Sequence, residues 1–502
     1  MSTGDRLTPV TTILRHPWAP LLLVGVGAWL LRVAAFFNRN GALGYPVDFD
    51  EGVYFSAAAL LAHGVLPYRD YFFVHPPGIA VLWAPVAAFA RVMDVDSVLA
   101  AVRWCVPALG ALSTVLSGRI VQERWGTRAG VVAALVYAVH PEASASDRAM
   151  VLEPVLNLAC LGMAWVLLRP AEGREAWRRD VGAGVLLATA CAVKLTAGVW
   201  VLATVWALGG GGEWRRALRT VGAAAVAGLV WMGPFLVMAA EPLLEGLLRF
   251  QVLRPPDGVL EPSIRLRLLM GESHWGVSVL SLLGLAVALV RSRRRDAVAE
   301  RLFSVAGLLT VAVFLSSKSF FSHYNASLAP VTAVLSGLGA SWVLAWADQR
   351  SRRFAVAATG VLGLTALSTL SEAIRLSKQR DRGLLVIGGA IRAAVPADAS
   401  LCAFEPGWAI AAGRLPGVPL GNPILVDPYG FMLHGAVGAT ARFATAAAAF
   451  EDESTQHTVK PLLERCDYLV LLGRGEWQLS AASERWVGER FTREGDVWKR
   501  RP

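Results

Sequence analysis

Charge is what this sequence has little of: Asp, Glu, Lys and Arg make up 17% of its 502 residues, against 55% hydrophobic ones. A soluble chain of this length needs more charge to solvate its surface. Alternating polarity is also scarce. Leu, Val and Ala fall in unbroken runs, many near the ~20 residues that cross a hydrocarbon core as a helix, and mean hydropathy is +0.48. Cysteine is sparse, at five (Cys105, Cys160, Cys191, Cys402 and Cys466), with no CxxC spacing and no His at ligand spacing, which argues against structural zinc. No small-residue cleavage site follows the first apolar run, so that run reads as a retained signal anchor. No transporter-type internal repeat is visible. These absences exclude a soluble globular chain and leave a polytopic integral membrane protein.

The net charge of +10 would raise the question of nucleic acid in a soluble domain. Here the Arg residues punctuate short turns between apolar runs, at Arg119–Arg128, Arg169–Asp180, Arg215–Arg219, Arg291–Arg295 and Arg350–Arg353. The positive-inside rule accounts for them as topology determinants, with no nucleic-acid partner. Threading the chain on that rule gives about eleven spans: Trp18–Phe37, Val98–Ser117, Ala129–Val139, Met150–Leu168, Val181–Val193, Thr196–Leu208, Thr220–Ala240, Trp275–Val290, Leu302–Ser316, Ala326–Trp346 and Phe354–Leu370. The N-terminus is then cytoplasmic and the C-terminus extracytoplasmic. Ile79–Ala90 is read as a surface helix, because counting it as a span would move every later Arg cluster outside.

The expected fold class is mostly α: a transmembrane helical bundle over residues 1–370, with a long first outer loop at 38–77. A small extracytoplasmic α/β domain follows over 371–502. In that second part Leu384–Ile387, Ser400–Phe404 and Tyr468–Leu472 read as buried strands, and Ala436–Phe450 and Ser480–Phe491 as helices. Cys402 and Cys466 either pair there, in an oxidising compartment, or stay free.

Three outer segments concentrate the chemistry. The first carries Asp48, Asp50 and Glu51, then Tyr54, then Arg69-Asp70 and His75-Pro76-Pro77. A carboxylate in a partly desolvated cleft can take a proton from a hydroxyl nucleophile, or two can share a divalent cation, here Asp50 with Glu51. A solvated acidic loop is the alternative, though such loops rarely hold so many aromatic rings. The second is Lys194, which interrupts the apolar stretch Val181–Leu208. It either caps a turn or awaits a phosphate at the interface. The third is Ser316–Tyr324, where Lys318 and His323 add charge at the same level. Arg103, Arg148 and Glu153 complete a polar ring or form a structural ion-pair network. A transporter or flippase would spread such groups through mid-membrane; these gather at one level.

Asp50-Glu51 after the first span, Pro67-Tyr68-Arg69-Asp70-Tyr71, His75-Pro76-Pro77, the Lys194 turn and His323-Tyr324 before a Pro330-containing span together resemble the GT-C-type membrane glycosyltransferases. Within that superfamily the pattern is similar to the protein O-mannosyltransferases and the lipid A aminoarabinose transferases. The likeness covers roughly residues 17–346. It implies an enzyme that takes a sugar from a polyprenyl-phosphate donor and passes it, with inversion, to an acceptor hydroxyl on a glycan, lipid or protein at the outer face of the membrane. It maps the catalytic acid onto Asp50, with Glu51 beside it and Asp48 as a rival. Lys194, with Arg103 or Lys318, would meet the donor phosphate. Tyr54, Arg69, Asp70, His75, His323 and Tyr324 would line the substrates. Heavy use of Ala, Arg, Gly and Val points to a GC-rich bacterial source, hence to a plasma membrane and a decaprenyl or undecaprenyl carrier. A divalent metal is left open.

Overall fold

Each of the eleven apolar runs is helical, and most helices extend past the run that announced them. The computed structural model describes residues 16–38, 41–44, 48–271, 275–377, 384–435 and 443–502. Its principal helices are α1 (Ala19–Phe37), α2 (Phe49–Ala62), α3 (Gly78–Ala87), α4 (Val95–Trp125), α5 (Thr127–Ala138), α6 (Leu152–Leu168), α7 (Gly173–Val193), α8 (Gly198–Gly209), α9 (Trp214–Leu244), α10 (Trp275–Arg291), α11 (Val298–Ser316), α12 (Ala329–Asp348) and α13 (Arg352–Leu367). The extensions are the basic "turns" themselves. Arg119 and Arg124 lie in the last turns of α4, and Arg174, Arg178 and Arg179 in the first turns of α7. Long aliphatic stems let such residues continue a helix beyond the apolar layer while their charged heads stay in water. Six helices are long and apolar enough to cross a membrane, including α1, α4 and α11, while α5, α6, α8 and α10 are shorter apolar helices. This is an integral membrane bundle.

A buried ion pair and a second buried arginine organise one end of the bundle. Arg32 of α1 donates to Asp147 (Nε 2.9 Å, ion pair 2.8 Å) and to the carbonyls of Ala28 and Ala138, with both charged side chains fully buried. Gly110 of α4 makes the room: a Cβ there would run into both partners. Arg148 lies alongside, donating to the Arg32 carbonyl and to Ser144 Oγ. In a low-dielectric interior a guanidinium needs an ion-pair or hydrogen-bond partner; Arg32 has both here and Arg148 has hydrogen bonds. Arg148 therefore belongs to the scaffold.

The expected loop 38–77 contains helix α2, so the acidic stretch is a helix N-terminus. Asp48 is the N-cap (φ −106°, ψ 131°) and its Oδ1 accepts the Asp50 N–H at 2.9 Å. The remainder of the segment closes on Tyr68, which has a positive φ of 69°. That conformation costs a non-glycine residue about 1–3 kcal/mol. It is offset by the Tyr68 hydroxyl donating to the His75 carbonyl and by edge contacts with Phe73 and Phe235. The short helix α3, followed by a 3-10 turn to Arg91, lies against α2, α4 and α7.

In the C-terminal segment, β3 (Leu401–Ala403), β4 (Tyr468–Val470), β5 (Phe491–Glu494) and β6 (Val497–Arg500) form one sheet in the order β3-β4-β6-β5. Two of the expected strands are found. The third, Leu384–Ile387, is instead the start of helix α14 (Leu384–Ala394), which buries Ile387 and Ile391 four residues apart. A short unbroken apolar run does not distinguish a buried strand from a buried helix. Of Ala436–Phe450, Ala446–Phe450 is helical and residues 436–442 lie outside the described part. Ser480–Phe491 holds helix α15 (Ala481–Arg490). The core is continuous: Ile387, Leu401 and Tyr468 share one hydrophobic cluster with α2, α4 and α6.

A disulfide joins Cys402 of β3 to Cys466, across 64 residues and a Cα–Cα distance of 6.0 Å. Closing a loop of that length removes roughly 4 kcal/mol of unfolded-state entropy in the chain-entropy model. Cys402→Ser with Cys466→Ser should accordingly lower the unfolding temperature of the sheet segment, read by its Trp408, Trp477, Trp486 and Trp498 fluorescence. An unchanged transition would show that the crosslink adds nothing.

Candidate active site

One turn of α2 offers four successive side chains to four different neighbours, since each helical residue turns by 100°. Phe49 faces the C-terminal segment, where the Arg474 guanidinium lies 3.7 Å over its ring. Asp50 lies within electrostatic range of Lys194 and Tyr324, two residues that line the cavity described below. Glu51 faces α4, and Gly52 meets the backbone of Gly407, whose N would lie 2.5 Å from an added Cβ. Tyr54, one turn beyond Asp50, has its hydroxyl 3.2 Å from His75 Nε2.

The cavity measures about 290 Å³ and is lined by His75, Lys194, Gln251, Arg254, Lys318 and Tyr324, among others. Lys194, the C-cap of α7, pairs with Glu153 at 2.7 Å, the two side chains being 12% and 4% exposed. Its ammonium also sits 4.3 Å from the centre of the Tyr324 ring. Three cations therefore converge, and among the described residues only Lys194 has a buried carboxylate partner. A second cavity of about 280 Å³, between α10, α11 and α12, has an almost wholly apolar lining in which His140 is the sole ionisable group. The charged side chains gather at the first.

Local sequence explains how the polar side chains reach it. His75 and Arg254 each precede a Pro-Pro pair, and the residue before proline is pushed out of the helical region; Arg254 is extended (φ −54°, ψ 146°). The chain reaches Arg254 through a kink at Ala239 and a π-turn at Glu245–Arg249, a distortion common at functional sites. Gln251 then donates to the Val74 carbonyl at 3.1 Å. Lys318 is brought in by strand pairing: β1 (Asp257–Gly258) runs parallel to β2 (Ser319–Phe320), with the Asp257 N–H donating to the Lys318 carbonyl at 2.9 Å.

Electrostatics tie the carboxylates to this cavity. The Asp50 charge acts on Lys194, Tyr54, Tyr324 and Asp427, and its carboxylate accepts no hydrogen bond from a described residue. Asp48 is exposed to solvent at the start of α2, with protein packed around it. Burial, then the Asp50 charge, pushes its carboxyl above the usual range. His75 is held neutral: burial first, then Lys194 and Arg254, depress it to about 3. His323 is half-buried, stacked on Phe321 and edge-on to Tyr324 at 4.9 Å, within electrostatic range of Asp48 and Glu153.

Four expectations are corrected. Arg103 is not a phosphate ligand: fully buried, it makes an ion pair with Glu51 and donates to the Ala42 carbonyl at 2.7 Å. Glu51 is therefore neither catalytic nor half of a metal pair with Asp50, since it also accepts the Met150 N–H at 2.9 Å. Removing two charges from water is tolerable only when each satisfies the other, and this pair fixes α2 to α4. Arg69 and Asp70 pair with each other at the surface, 47% and 27% exposed, and Asp70 accepts the Leu66 N–H at 2.7 Å. They stabilise a turn and do not line the cavity. Among the described residues no group of three or more His, Cys, Asp or Glu is arranged to hold a metal ion.

The structure also adds residues that sequence reasoning missed. Arg254 and Gln251 could have been flagged by the Pro-Pro pair that repeats the His75 pattern. Glu405, Asp427 and Arg474 carry no local signal. Asp427 is buried, accepts the Gly430 N–H at 2.9 Å, and is pushed up to about 6 by burial.

Residues 74–239 match a family model described as dolichyl-phosphate-mannose-protein mannosyltransferase; the match includes His75, Glu153 and Lys194 and begins after Asp50. No curated protein sequence matches the chain. Among solved structures, ArnT from Cupriavidus metallidurans in the apo state superposes with a TM-score of 0.57 at 16% identity, over 82% of this chain and 90% of that one. ArnT bound to undecaprenyl phosphate gives 0.57 at 15%, over 82% and 86%. The archaeal oligosaccharyltransferase AglB from Archaeoglobus fulgidus, in complex with an inhibitory peptide and a dolichol-phosphate, gives 0.58 at 13%, over 89% and 69%. The chain thus has the fold of ArnT and AglB, and its residues 74–239 match the mannosyltransferase family model.

Proposed function

We propose that the protein transfers a sugar from a polyprenyl-phosphate donor to an acceptor hydroxyl on a glycan, lipid or protein. The observation that carries this reading is the convergence of Lys194, Arg254 and Lys318 on one cavity, with the Asp50 carboxylate within electrostatic range of Lys194. Fixed cations meet the charge that develops on a departing phosphate, which is the largest single source of stabilisation in such a step. A carboxylate opposite them takes the acceptor proton as the hydroxyl attacks the anomeric carbon. One base and one leaving group on opposite faces make a direct displacement, with inversion. Asp50 is the base in this reading because its oxygens are free of described donors, whereas Asp48 spends one on capping α2. Tyr54, His75, His323 and Tyr324 shape the space between base and phosphate.

The relatives support the substrate classes: ArnT was solved with undecaprenyl phosphate, and AglB with a dolichol-phosphate and a peptide. We assign the site to the extracytoplasmic face of a bacterial plasma membrane, with a cytoplasmic N-terminus, because Arg-rich helix ends gather at the opposite end of the bundle. The test is to incubate the purified protein with a panel of decaprenyl- and undecaprenyl-phosphate sugars and measure free carrier phosphate. Release from one donor, dependent on an added acceptor, is expected; no release from any would remove the transferase reading.

A further inference from the structure

The first turn of a helix is its least secure part, because its N–H groups have no intrahelical partners. Here that turn carries Asp48 and Asp50, and Phe49 between them is gripped from the C-terminal segment. The Arg474 guanidinium lies 3.7 Å over the Phe49 ring, with Tyr429 and Trp477 at 5.6 Å and 5.8 Å. Its own backbone N–H donates to Glu405 Oε1 at 3.2 Å, while the guanidinium makes no hydrogen bond or ion pair to a described residue. It is held by aromatic faces, not by a carboxylate. Phe49 in turn touches both main hydrophobic clusters, one dominated by the bundle and one by the C-terminal segment. Close by, the Gly52 and Gly407 backbones approach too tightly to admit a Cβ. The charges on either side are coupled as well: Arg474 acts on Glu405 and Asp427, and these act respectively with Asp48 and Asp50.

We propose that Arg474 is a positioning residue for the Asp48–Asp50 turn, so that the C-terminal segment completes the active site. This rests on the transferase reading. A base must be held close to its productive geometry, and a displacement of about 1 Å can cost 10²-fold in rate. Arg474 achieves this through Phe49: a planar cation on an aromatic face resists sliding of the ring, and the ring is flanked in sequence by both aspartates. Arg474 does not line the donor cavity, so it acts on turnover and not on donor capture.

The test uses the full-length protein in nanodiscs and the donor that releases carrier phosphate in the panel assay. Arg474→Met, which keeps the apolar stem, should lower kcat by about 10- to 100-fold, with donor KM and undecaprenyl-phosphate affinity unchanged. Arg474→Lys should recover part of the loss. Phe49→Leu should reproduce it, and the double variant should be no slower than the worse single one. Retained undecaprenyl-phosphate binding shows that the variants fold. A kcat for Arg474→Met within twofold of the unsubstituted protein, or a loss appearing in donor KM instead, would overturn the positioning role. If the unsubstituted protein releases no carrier from any donor, the transferase reading fails first and takes this role with it.

Discussion

Asp50→Asn should lower sugar transfer by about 10²- to 10⁴-fold, the range a positioned general base contributes, while undecaprenyl-phosphate binding and the unfolding temperature stay close to those of the unsubstituted protein. The separation follows from the geometry. Asp50 accepts no hydrogen bond from a described residue, so an amide in its place breaks no scaffold contact. Asp48→Asn is the matched control. It retains an oxygen to cap the Asp50 N–H, so a cap role predicts little loss of activity, while a base role predicts the full loss. Full transfer by Asp50→Asn, with none by Asp48→Asn, would reassign the base to Asp48.

Lys194→Met should fail twice over. It removes the cation nearest the proposed leaving group, and it strands Glu153, which is 4% exposed, without its partner. Leaving one member of a buried pair uncompensated costs about 3–5 kcal/mol, so the unfolding temperature should drop along with undecaprenyl-phosphate affinity. Combining it with Glu153→Leu separates the two effects, because replacing both charges by apolar groups of similar size restores stability in such pairs. The double variant is expected to unfold near the normal temperature and still bind undecaprenyl phosphate poorly. Recovery of binding along with stability would reduce Lys194 to a helix cap.

The acidic stretch shows how far local reasoning reaches. Asp48-Phe-Asp-Glu51 has the spacing of a capping box, an N-cap acid three residues before Glu, so a helix start was legible there although the stretch read as loop. Glu51 then departs from that motif: its carboxylate reaches across to Arg103 instead of back to the cap. Both residues are visible in the sequence as unusual charges, Glu51 beside the expected base and Arg103 either at the donor phosphate or in an ion-pair network. Their pairing spans 52 positions and exists only because α2 lies on α4. Arg69 and Asp70 went the other way: adjacent in sequence and exposed, they needed no partner beyond each other.

From the sequence alone came the membrane character, the helical runs, the strands of the C-terminal sheet at Cys402 and Leu469, and the choice of Lys194, His75, Lys318 and Tyr324, which meet at one cavity. These follow from hydrophobic periodicity and from the high cost of placing charge near a bilayer, and both are local properties. Tertiary structure alone decided which charges serve the scaffold and which face the cavity. Arg103 and Arg148 are consumed in buried pairs or knots, while Arg254 lines the cavity and Arg474 stands over Phe49 in the acidic turn. Burial selects these partners, because a desolvated charge is stable only next to groups that packing delivers. That delivery, through the Pro-Pro breaks, the β1–β2 pairing and the Phe49–Arg474 stack, joins segments hundreds of residues apart.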